Sequence, residues 1–124
     1  MTRKADDAGA AIVWALVLTS VLLAMLMGAA VLTDVLVARE RAGAAADLGA
    51  LAAAPVVEMS SPQACVRAEV VVHANAAQML KCIVVDGDVV IGAACTPHGA
   101  WARWLVLQAT GTPQVAVSSR SGFR

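Results

Sequence analysis

Cys65, His73, Cys82, Cys95 and His98 are the residues of this chain best suited to metal or thiol chemistry, and Glu40 and Asp47 form a carboxylate pair about two helical turns apart. Zinc sites draw their ligands from short clips such as C-x-x-C or H-x-x-x-H, which set two donors on one turn. None of the spacings here forms such a clip, so neither a metal, a cofactor nor redox catalysis is expected. Glu40 and Asp47 have no His or nucleophile near them in sequence, and a solvated helix face is their expected setting. No enzymatic activity is expected. Two readings of the cysteines stay open. If the C-terminal part lies outside the cytoplasm, Cys65 and Cys82 can bridge a second helix to a first strand, closing a loop that the entropy model values at about 3 kcal/mol. Otherwise they are buried, unpaired thiols. Cys95 is left over in the first case.

The elements that position these residues start from an apolar excess. Of 124 residues, 60% are apolar and 15% charged, a share well above that of ordinary soluble domains. Between Asp7 and Asp34 runs "AGAAIVWALVLTSVLLAMLMGAAVLT" with no charge, longer than the roughly 20 helical residues that cross a hydrocarbon core. A cleaved secretory signal would have an apolar region of about 7 to 15 residues, so an uncleaved anchor is expected. Arg3 and Lys4 on one side are balanced by Arg39 and Arg41 on the other. The short leader then places the N-terminus in the cytoplasm and the C-terminal part outside. Net charge is zero and no basic cluster exceeds two neighbours, which argues against nucleic-acid partners.

At 100 degrees per residue, Ala24, Gly28, Val31, Val35, Ala38, Ala42, Ala46, Gly49 and Ala53 fall within about 40 degrees of one line. This small-residue stripe predicts one helix from about Ala10 to Ala54, stopped by Pro55, with a groove that another helix can enter. A biased composition would produce the same stripe without that role. A second helix is expected from Ser61 as N-cap and Pro62 at its first position through about Leu80, with Cys65, Ala68, Val72, Ala76 and Met79 or Leu80 on its apolar line. "IVVDGDVVI" predicts a hairpin pairing Ile83–Val85 with Val89–Ile91. "HGAWARWLVLQATG" reads as a short helix, with Trp101, Trp104 and Leu105 either at a membrane interface or in the core; "SSRSGFR" reads as a frayed tail.

Taken together, "DDAGAAIVW" entering the apolar run, "RERAGAAADLGALAAA" leaving it and "CVRAEVVVHANAAQMLKCIVVDGDVVI" after it resemble the bacterial TadE-like family of the tight-adherence (Flp-type) pilus and secretion machinery, in particular its helicase/secretion-neighbourhood branch. The resemblance covers about residues 5–92 and is most specific at Ala45, Ala46, Asp47 and Leu48, at Asn75, Ala76 and Ala77, and at Cys65 and Cys82. It implies an α+β, pilin-like, single-pass bacterial membrane protein that helps to assemble a surface pilus or secretion apparatus with other pilin-like proteins or copies of itself, and a disulfide between Cys65 and Cys82. A charged leader, Gly9 and a long apolar helix also match the layout that prepilin peptidases recognise, with Gly9 and Ala10 flanking the candidate cut. Trp14 stands where such processing expects Glu, and the chain after Ile91 departs from the family pattern. The expected organisation is a leader over 1–7, a transmembrane helix over 8–33, an extension of the same helix over 34–55, a small α-β-β domain over 56–95 and an unassigned segment over 96–124. A different class of function, a tethered extracytoplasmic binding module, would leave the stripe without a role and make Asp86–Asp88 important.

Overall fold

A computed structural model describes residues 3–121, with side chains described from Gly9 to Arg120. The elements are α1 (Arg3–Val57), α2 (Ser61–Ala74), β1 (Gln78–Val85), β2 (Asp88–Cys95), α3 (Ala100–Thr110) and β3 (Val115–Ser121). They divide into two compact units, Met1–Leu32 and Thr33–Arg124. In the first, the apolar stretch of α1 is long and apolar enough to cross a membrane, and its large side chains, from Ile12 to Leu32, are exposed.

The second unit is an antiparallel three-stranded sheet in the order β1-β2-β3, backed on one face by α2 and the C-terminal half of α1. Asp86 and Gly87 both take positive φ, 52° and 83°, the backbone a two-residue type I′ hairpin turn requires. The predicted hairpin forms, but its register is one residue from the expected pairing of Ile83–Val85 with Val89–Ile91: the two-residue turn sets Val85 opposite Asp88, Val84 opposite Val89 and Ile83 opposite Val90. β2 is the central strand, and its inward side chains Val89, Ile91, Ala93 and Cys95 meet Ala38, Ala42, Ala45, Ala46, Ala50, Ala53 and Val57 of α1 and Ala64, Ala68 and Val72 of α2 in one core.

Four other expectations are corrected. Pro55 does not stop α1; it lies inside its last turn, and the helix ends at Val57, where the amides of Met59 and Ser60 both close back on the Val56 carbonyl. The N-cap of α2 is Ser60, extended at φ −164° and ψ 109°, while Ser61 is already helical and Pro62 stands at the start as expected. α2 ends at Ala74 rather than Leu80, because Ala76 at φ 56° turns the chain and Gln78, Met79 and Leu80 enter β1. Part of the tail is a strand: β3 pairs along β2 from Cys95↔Val115 to Val89↔Ser121, and an Arg120–Asp88 ion pair ties its far end. Gly122, Phe123 and Arg124 lie outside the described residues. The short helix over 100–110 forms as predicted.

Gly49 shows how closely α1 approaches its own domain. A Cβ built there would lie 2.8 Å from Val72 Cγ2 and 3.7 Å from Ile91 Cγ2. At Gly43 the corresponding atom would be 3.9 Å from Val117 Cγ1, an ordinary contact. Alanine is favoured over glycine in a helix interior by about 1 kcal/mol, and overpacking a core costs about 1 to 3 kcal/mol. Denaturant unfolding of the full chain in detergent should therefore show opposite signs for two identical changes: Gly43→Ala stabilises, Gly49→Ala destabilises. Equal stabilisation by both would mean that α1 does not press against α2 and β2 at Gly49.

Candidate functional site

The small-residue stripe is split by the fold. Ala38, Ala42, Ala46, Gly49 and Ala53 are buried in the chain's own core; Val31 and Val35 are half-buried; Ala24 and Gly28 are exposed. The expectation that another helix fills the groove over 42–53 is thus corrected: α2 and β2 of the same chain fill it. Small residues are required there because helix and sheet backbones sit too close for larger ones, and Ala46→Leu would disrupt the domain itself. In the motif Ala45, Ala46, Asp47, Leu48, the two alanines are buried and the other two residues exposed. Asp47 is not simply solvated, because it accepts a hydrogen bond from the Ser119 hydroxyl of β3. Gly9 and Ala10 are both helical and exposed.

Cys65 and Cys82 form a disulfide with Cα atoms 5.9 Å apart, joining the first turns of α2 to β1. Cys95 is free and buried at the end of β2, its Sγ 3.7 Å from the Ala76 carbonyl. Burial raises its pKa above the ordinary thiol value, and the Arg41 cation offsets part of that rise. The thiolate is the nucleophile, so Cys95 is held in its unreactive form. Among the described residues, no group of three or more His, Cys, Asp or Glu could hold a metal ion.

One polar junction was not legible in the sequence. Asp34, the first charge after the apolar run, accepts from the backbone N–H of Gly99 at 2.5 Å and of His98 at 3.3 Å. A carboxylate from α1 thereby satisfies amides at the N-terminus of α3, whose own N-cap Gly99 has no side chain to do so. Arg41 Nη1 donates to His98 Nε2 at 2.7 Å, a second tie between α1 and the same loop. The two ties span 64 and 57 residues or more of sequence, beyond any local pattern. A shallow groove between α1 and α2 is lined by Val56, Pro62, Gln63, Val66 and Arg67; it gathers no nucleophile or carboxylate.

No protein-family profile matches the chain, and no solved structure matches it. A curated protein of Mycobacterium tuberculosis (strain ATCC 25618 / H37Rv), named apoptosis inhibitor Rv3654c, is 49% identical over 55 residues, which is 44% of this chain and 66% of that protein. The chain thus spans just under two thirds of the curated relative it matches.

The state of the three cysteines is directly measurable. With the bonded pair 17 positions apart in sequence, reduction should lower the unfolding free energy by about 3 kcal/mol. In the folded, unreduced protein at neutral pH, Cys95 should resist alkylation and react only on unfolding. Mass spectrometry that found Cys95 alkylated at the rate of a free thiol in the folded protein would contradict its burial.

Proposed function

We propose that the chain is a non-enzymatic, single-pass membrane subunit of minor-pilin or pseudopilin type, taking part in assembly of a Flp/tight-adherence-type pilus or secretion apparatus through helix packing in the bilayer. The observation that carries this reading is the division of α1. One face of residues 38–57 is buried in the core of its own domain, whereas the large side chains of the apolar run, from Ile12 to Leu32, are exposed. An apolar surface of that length demands lipid or other helices. The disulfide supports an extracytoplasmic domain, since such bonds persist in oxidising compartments. The resemblance at Ala45–Leu48 and at the two cysteines supports the family.

The stripe's role as an assembly surface moves, on this reading, to its N-terminal part. Ala24 and Gly28 are one turn apart with nothing bulky between them on their line, the small-xxx-small spacing that lets transmembrane helices approach closely. Ala24→Leu should weaken cross-linking to partner subunits or to a second copy, with the domain's stability unchanged. Ala30→Leu is the control, because residue 30 points about 120 degrees away from residue 24. Equal cross-linking by both variants at equal membrane levels would overturn the assembly role of the stripe.

A further inference from the structure

α3 presents its two faces the wrong way round for a helix in water. Ala102 and Val106 are its buried residues, whereas Trp101, Trp104 and Leu105 are 65%, 54% and 50% exposed. At 100 degrees per residue these three share one face, about 125 degrees round the helix from the buried one. The two indoles sit edge to face, with ring centroids 6.5 Å apart. Both sides of the helix are apolar, and the bulky one, which also carries Gln108, faces outward.

Contacts within the second unit give the position of the helix. Going along α1 away from the apolar run, Asp34 holds the start of α3, Gly43 lies by Val117, Asp47 bonds Ser119 and Gly49 approaches Ile91. β2 and β3 therefore run so that Cys95 and Val115, which are paired, lie at the end of the sheet nearer Asp34, and the hairpin turn lies at the far end. α3 connects Cys95 to Val115, so both of its ends belong to the near end. Asp34 is also the first charged residue after the apolar run. If that run crosses a bilayer, Asp34 stands where hydrocarbon gives way to headgroups, and α3 is bonded to it.

We infer that α3 is an interfacial helix, whose Trp101, Trp104 and Leu105 enter the headgroup–acyl boundary of the bilayer that the chain's own apolar run spans. Indole suits that boundary, having an apolar body and one N–H donor. Asp34 and Arg41 would then be positioning residues that hold the helix at this depth. The inference rests on the reading of residues 8–33 as a transmembrane helix.

Three tryptophans make the test direct, because the third is Trp14 within the apolar run. Full-length protein is reconstituted in phosphatidylcholine vesicles whose acyl chains carry bromine near the headgroup or near the middle. In Trp14→Phe, emission from Trp101 and Trp104 should be strongly quenched, more by the shallow bromines than by the deep ones, and little affected by iodide in the buffer. In Trp101→Phe/Trp104→Phe, Trp14 reports on the span. Quenching of Trp14 without quenching of Trp101 and Trp104 would overturn the inference while leaving the span intact, as it would be if the face docked on protein instead. Absence of lipid quenching in both variants would overturn the transmembrane reading together with it.

Discussion

The close approach of α1 to α2 and β2 is the contact on which the second unit depends. At Gly49 there is no room even for a methyl group beside Val72, and the positions that follow the same face are nearly all alanine. This explains a core whose largest fully buried side chains are Ile91, Val72, Val89 and Pro97. Such a core removes little apolar area per residue, and a chain of this size has a small margin of stability. Proximity of backbones replaces bulk as the packing principle, so each position tolerates enlargement poorly. The Cys65–Cys82 bridge acts in the same direction by tying the start of α2 to the edge strand that packs beside it.

A helix that serves as the core of a domain at one end and as an apolar rod at the other has two different reasons for its composition. In the rod, large residues such as Leu22, Leu23 and Leu26 surround the axis, as expected of a segment without a polar side. In the domain, Ala and Gly occupy the inward face while Arg39, Glu40, Asp47 and Leu48 look outward. The polar junction at Asp34 lies at the change from one regime to the other. There a single carboxylate satisfies the amides at the start of α3, which small or apolar residues of the loop could not do.

The elements set by local physics were readable from the sequence. Asp86-Gly87 dictates a hairpin because only such residues adopt two successive positive φ values easily, and the unbroken run before Asp34 dictates a long apolar helix. The helix-packing stripe was readable as a pattern, since it is a property of spacing, but its partner was not, because the filling residues Val72 and Ile91 are distant in sequence. β3 was missed: "VAVSSRS" alternates weakly and gains its strand character from pairing with β2. The end of α2 was misplaced because the left-handed turn falls on Ala76, a residue that does not announce it. Ser119 beside Asp47 and His98 beside Arg41 are products of tertiary structure alone.

Residues 38–57 of α1 share one core with α2 and β2, and so should unfold with them as one cooperative unit rather than as a helix projecting freely from its domain. Native-state hydrogen exchange of the full-length protein in detergent micelles measures this most directly. Amides of Ala42 through Ala53 should exchange only through the global unfolding that also releases Val89 to Ala93, and should lose their protection together with those strand amides as denaturant is added. Exchange of Ala42 through Ala53 by an independent, lower-energy opening, while β2 stays protected, would contradict it.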